Sequence, residues 1–207
     1  TLMGDFEKAL PLYLNALDNT KMSLGMGHPA YGLQLNNLAL LYQRIGDYDN
    51  SLSLSLEAQG NIGNSLGKDH PEYGNCLSNL ALLYQEMGDF EKALPLSLKA
   101  LENCRNNMGT EHTAYGAALN NLALLYQRIG DYENALPLSL EALAKAENSL
   151  GKDHAAYGIS LSNLGSLYSS MGNYEKALSL SLEALESTEN SLGKDHADYG
   201  SSLINVG

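Results

Sequence analysis

The sequence predicts an all-α fold built from antiparallel helix pairs, and three observations carry that prediction. First, His28, His70, His112, His154 and His196 recur every 42 residues, as do Gly4, Gly46, Gly88, Gly130 and Gly172 and the Tyr-Gly steps at Tyr31, Tyr73, Tyr115, Tyr157 and Tyr199. Second, apolar residues inside each copy fall at helical spacing. Third, glycine, aspartate and proline stand where helices start and stop. Segments 67–108 and 109–150 are identical at 24 of 42 positions, and that period suits helical repeat arrays. A unit this short cannot bury its own apolar face and must stack on neighbours.

The copy 67–108 shows the logic element by element. Pro71 suits the first helical position, where a missing N–H costs nothing, and Asp69 or His70 stands where a cap is needed. Tyr73, Leu77, Leu80 and Tyr84 follow at spacings that make one helical stripe. Gly88-Asp89 ends this first helix, A, and caps the second, B. Glu91 places negative charge in the first turn of B, where the helix dipole favours it. Ala93, Leu94, Leu98 and Leu101 continue B, and Gly109 stops it. Pro11, Pro95 and Pro137 break the local rule about six residues into B, where a proline removes one backbone bond; a mild bend is expected there. Ser53 and Ser179 replace the proline in other copies.

The run Asn79-Leu80-Ala81-Leu82-Leu83-Tyr84-Gln85-Glu86-Met87-Gly88-Asp89-Phe90-Glu91-Lys92-Ala93-Leu94 resembles a tetratricopeptide repeat. Leu80, Ala81 and Tyr84 match the large–small–aromatic pattern of helix A. Gly88, Asp89 and Phe90 match the turn, and Ala93 and Ala100 the small positions of helix B. With Leu66-Gly67-Lys68-Asp69-His70-Pro71, the 42-residue unit is similar to the longer repeats of kinesin light chains and their bacterial relatives. The resemblance covers essentially the whole chain. It implies a right-handed α-α superhelix, a single solenoid over 1–207. Its copies would be 1–24 (partial), 25–66, 67–108, 109–150, 151–192 and 193–207 (partial), a fragment of a longer array. Two departures stand out. Tyr-Gly replaces a small aliphatic pair, and the mid-B aromatic survives only as Tyr13, with Ser55, Ser97, Ser139 and Ser181 elsewhere. The serines should let neighbouring helices approach more closely.

Composition narrows the function. The net charge of −12 argues against nucleic acid, which is bound through Lys and Arg, and against an anionic membrane surface. No copy exceeds −3, so the charge is a solvated coat and not an acidic tail. No apolar run approaches the roughly 18–20 residues of a membrane span. Two cysteines are too few for a disulfide scaffold and, with no signal peptide, point to a reducing, cytoplasmic setting.

No catalytic constellation, cofactor or metal site is expected. Equivalent positions in neighbouring copies lie about 16–20 Å apart, from about 8–10 Å per helix contact, so the histidine ladder cannot share one ion. Each histidine is read as a cap or pin of helix A. Cys76 and Cys104 have no partner at catalytic or ligand spacing. There is no Gly-x-Ser-x-Gly elbow or phosphate-binding lysine motif. Asp89 and Glu91 recur at each helix-B start, as the dipole explains.

What remains is surface. The resemblance implies that A helices line a concave groove. The first complete copy would supply Asn36, Asn37, Leu40, Gln43 and Arg44, and the next Ser78, Asn79, Leu82, Gln85 and Glu86. Asn120, Asn121, Leu124, Gln127 and Arg128 would follow, then Asn163 with Ser162, Ser166, Ser169 and Ser170. Asn and Gln offer donors and acceptors to a peptide main chain; alternatively, Asn37, Asn79, Asn121 and Asn163 bond between adjacent helices. The expected function is a non-catalytic protein-interaction scaffold that takes a partner peptide or helix. Two alternatives are a spacer rod that stacks head-to-tail through uncapped ends, and the sensor or scaffold region of a larger signalling protein or protease. Two arginines are too few for a carboxylate clamp or a tryptophan-acidic cargo peptide.

Overall fold

The computed structural model describes residues 2–193; His196, Tyr199 and the rest of the partial copy beyond Gly193 lie outside them. The described residues form nine α-helices: α1 (Leu2–Leu24), α2 (Pro29–Ile45), α3 (Tyr48–Ser65), α4 (Pro71–Glu86), α5 (Phe90–Met108), α6 (Thr113–Ile129), α7 (Tyr132–Leu150), α8 (Ala155–Ser170) and α9 (Tyr174–Leu192). Even numbers are A helices and odd numbers B helices. The chain divides into two compact units, one ending at Asn107 and one beginning at Met108. Both are built from antiparallel pairs by the same local rules.

Each A helix starts on a histidine. His28, His70, His112 and His154 are N-caps in extended conformation. Their Nδ1 atoms accept from the N–H of Ala30, Glu72, Ala114 and Ala156 at 3.1–3.2 Å, so His70, not Asp69, is the cap. Each A helix ends in a left-handed glycine. The Gly46 N–H donates to Gln43 O and the Asp47 N–H to Tyr42 O, the Schellman arrangement that satisfies orphan carbonyls. The same pair of bonds recurs at Gly88, Gly130 and Gly172. Asp47 then caps α3, accepting from the Asn50 N–H; Asp89, Asp131 and Asn173 repeat this. One residue thus closes one helix and opens the next.

Helix B varies at its start and continues through proline. α1 begins at Leu2, ahead of Asp5, and Gly4 continues the helix where its counterparts terminate one. α1, α5 and α7 run on through Pro11, Pro95 and Pro137, all three on the exposed side.

The core is a row of small clusters. Tyr31 and Leu35 of α2 pack on Ala58 of α3, with Leu17 of α1 closing the other side. Ala146 of α7, Tyr157 and Leu161 of α8 and Ala184 of α9 repeat this in the second unit. α2 is held between α1 and α3, and α8 between α7 and α9. Ser55, Ser97, Ser139 and Ser181, which replace the mid-B aromatic, are buried. Tyr31, Tyr115 and Tyr157 donate their hydroxyls to Glu57, Glu141 and Glu183. Burial, and then the neighbouring carboxylate, raises the Tyr31 and Tyr157 pKa values above the usual phenol range.

The Tyr-Gly step has a specific job. Asn61 Nδ2 of α3 donates to Met26 O, in the loop ahead of α2. Asn103 Nδ2 donates to Lys68 O (3.0 Å) and His70 O (3.3 Å), and Ser187 Oγ donates to Lys152 O (2.8 Å). Each B helix thereby clamps the loop that starts its own A helix. A Cβ on Gly32 would overlap Asn61, and one on Gly74 would overlap Asn103; at Gly158 it would press on Thr188 and Ser187. The third pair differs: Ser149 Oγ donates to Glu111 O at 3.4 Å and Lys145 pairs with the Glu111 carboxylate, and a Cβ on Gly116 would find only Lys145 Cβ at 3.7 Å.

Two stability outcomes follow. His112→Ala should cost about 1 kcal/mol by removing an N-cap acceptor, and His112→Asn should restore most of it, read by thermal unfolding. Gly74→Ala should cost about 1–3 kcal/mol through overpacking, whereas Gly116→Ala should stabilise by about 0.5–1 kcal/mol, as expected for a helical glycine with room. Denaturant titration of both variants would check the contrast.

Candidate functional site

The residues expected to line a groove lie on the A helices, and each unit can be considered separately. In the first unit, Asn36, Leu40 and Gln43 of α2 and Ser78, Asn79 and Leu82 of α4 are half-buried, and Asn37, Arg44 and Glu86 are exposed. Gln85 is buried, at 5% exposure, and presents little to a ligand. Asn79 Nδ2 donates to Asn36 Oδ1 at 3.2 Å. The bonding between adjacent A helices that the sequence left open is therefore made by Asn79, with Asn36 as its partner and not Asn37.

In the second unit, Asn120, Asn121, Leu124 and Gln127 of α6 and Asn163 of α8 are half-buried, and Arg128 is exposed. Asn120 Nδ2 donates to Ser160 Oγ at 2.9 Å. Gln127 Nε2 donates to Ser170 Oγ at 2.9 Å and Ser166 Oγ at 3.1 Å. Part of the polar ladder thus joins A helix to A helix, while the leucines and arginines between its rungs keep contact with solvent.

Reactive side chains have structural surroundings. Cys76 and Cys104 are buried and form no disulfide. Burial, and then Glu72, pushes the Cys76 thiol up to about 11, away from the thiolate a nucleophile needs. The histidines spend Nδ1 on capping. Among the described residues, no group of three or more His, Cys, Asp or Glu side chains is placed to hold a metal ion.

Sequence reasoning missed a cavity of about 560 Å³ between α6, α7 and α8, lined in part by Asn120, Asn121 and Asn163. It also missed the loop clamp and the Tyr–Glu pairs. Copy-to-copy comparison carried the signal: Tyr is followed 26 residues later by Glu57, Glu141 or Glu183, but by Lys99 in one copy. The clamp position 29 residues after Gly32 reads Asn61, Asn103, Lys145, Ser187.

Comparisons with known proteins agree with this geometry. The sequence pattern of the tetratricopeptide repeat family matches residues 33–106, 114–190 and 161–207. No curated protein matches the chain. The crystal structure of BtubC (BKLC) from P. vanneervenii is similar at 26% identity and a TM-score of 0.80, over 97% of this chain and 81% of that one. The crystal structure of Podosopora anserina putative kinesin light chain nearly identical TPR-like repeats is similar at 21% identity and a TM-score of 0.74, over 92% of this chain and 90% of that one; at that identity the likeness speaks to fold alone.

The Asn36–Asn79 bond makes a measurable demand. A double-mutant cycle with Asn36→Ala and Asn79→Ala should give a coupling of about 0.5–1 kcal/mol. Additive losses would mean that the two side chains act independently.

Proposed function

Because the chain belongs to the tetratricopeptide repeat family, we propose that it is a non-catalytic scaffold whose A-helix faces bind a segment of a partner protein. One observation carries the reading. Leu40, Leu82 and Leu124 are only half-buried, each beside Asn and Gln side chains on the same helix. A half-buried leucine is apolar surface left for a partner to cover, and neighbouring amides can pair with a main chain that would otherwise lose its water. Arg44, Arg128 and Glu86 stand exposed at the C-terminal ends of these helices, where charge sets register and partner choice more than raw affinity.

The partner in this reading is a protein or peptide of mixed polarity. The distributed negative charge disfavours nucleic acid. Among the described residues, no helix is long and apolar enough to cross a membrane. A cytoplasmic setting fits two buried thiols outside any disulfide.

Placing charge on the apolar strip tests the reading. The double variant Leu40→Glu, Leu82→Glu should lower affinity for a captured partner at least about tenfold while the helical signal is unchanged, since a desolvated unpaired charge is strongly penalised. Equal affinity in the folded variant would reject the A-helix faces as the binding surface.

A further inference from the structure

We propose that the cleft between the loop ahead of α4 and the second half of α5 binds a carboxylate from an acidic segment of a partner protein, held by Lys68, Lys99 and the Tyr73 hydroxyl. The cleft shares no residue with the A-helix faces described above, so this is a second contact surface.

The copy 151–192 shows what the same cradle holds when the chain fills it from within. Lys152 Nζ lies 5.6 Å from the centroid of the Tyr157 ring and 3.4 Å from Glu147 Oε1. The Tyr157 hydroxyl donates to Glu183 Oε1 at 2.7 Å. One lysine and one tyrosine thus meet two carboxylates. The copy 67–108 keeps the pair as Lys68 and Tyr73 but loses both acids. Gly63 stands in place of Glu147, and Lys99 in place of Glu183. Gly63 still lies beside the pair, since a Cβ on it would be 3.0 Å from Tyr73 Cε2 and 3.8 Å from Lys68 Cγ. Two negative charges are gone and one positive charge is added.

Lys68, Tyr73 and Lys99 line a cleft of about 490 Å³, inside the range of about 300–1,000 Å³ typical of ligand sites. Among the described residues, neither lysine forms an ion pair. The Tyr73 hydroxyl has no acceptor, unlike those of Tyr31, Tyr115 and Tyr157. A carboxylate has two oxygens and accepts from ammonium and hydroxyl groups together. Asp69 and Glu102 stand on the same wall. They offset the lysines at long range, so recognition takes place at contact, and a doubly charged phosphate would be repelled more than a single carboxylate. Both lysines are exposed, so each contact is modest. A contact of that strength gains value when it is tethered to a longer bound segment, which is why the carboxylate is assigned to a protein.

The test titrates the full chain, isotopically labelled, with acetylated and amidated glutamyl-glutamate at low salt and follows amide chemical shifts. Saturable shifts should centre on Tyr73, Lys99 and Asn106, with an affinity of about 1–10 mM. The glutaminyl-glutamine analogue at equal ionic strength should give none. Lys99→Glu supplies the residue that three other helix pairs carry, so it should leave the helical signal intact while abolishing saturable binding. Lys68→Gln and Tyr73→Phe should each weaken binding about threefold, and raising the salt to about 0.15 M should weaken it further. Absent or non-saturable shifts, shifts centred elsewhere, equal binding of the glutamine analogue, or unchanged binding in Lys99→Glu would overturn the inference. Tighter binding of inorganic phosphate or of free glutarate would overturn the assignment to a protein carboxylate. The probe does not need Leu40 or Leu82, so this cleft and the A-helix faces stand or fall separately.

Discussion

The fold depends on how closely the two helices of each pair approach at the Tyr-Gly step. A side chain from late in helix B reaches past glycine to hold the carbonyls ahead of helix A: Asn61 to Met26, Asn103 to Lys68 and His70, Ser187 to Lys152. A loop carbonyl that would otherwise need water is satisfied inside the protein, and the histidine cap beside it is held in place. With both ends of helix A pinned, by clamp and cap at the start and by the Gly-Asp turn at the end, its apolar stripe has one way to face the flanking B helices. The local packing and the exposed A-helix faces follow from that orientation.

The same constraint is met differently where the repeat is least regular. In the third pair Lys145 stands at the clamp position, Ser149 holds the Glu111 carbonyl instead, and Ala117 and Ala146 replace larger side chains. These changes coincide with the large apolar cavity of the second unit. The neighbouring Tyr115–Glu141 pair is retained, so helix A stays positioned even though its loop is held differently.

Much of this architecture was legible in the residues because it is set by local chemistry. Pro71 after His70, Gly88-Asp89 between helices and the Tyr73–Leu77–Leu80–Tyr84 stripe each act within a turn or two, and each element appears where they place it. The sites were harder to read because they depend on pairs distant in sequence. Gln85 resembles Gln43 and Gln127 in every local respect but is buried, and Asn79 bonds to Asn36, 43 residues away. The glycine after each tyrosine looked like an anomaly until Asn61 and Asn103 supplied the side chains it accommodates. The cavity was hidden for another reason: it is defined by what Ala117 and Ala146 lack, and a missing methyl leaves no motif.

Native-state hydrogen exchange tests the clamp most directly, because the first turns of α2, α4, α6 and α8 share the same histidine cap but not the same clamp. Opening of those turns reports local stability residue by residue. The account predicts that amides at Tyr115 and Gly116, opposite Lys145, exchange at least about tenfold faster than those at Tyr31 and Gly32 or Tyr73 and Gly74, opposite Asn61 and Asn103. Equal protection across these turns would contradict it and leave the caps and the apolar stripe to hold the helix starts unaided.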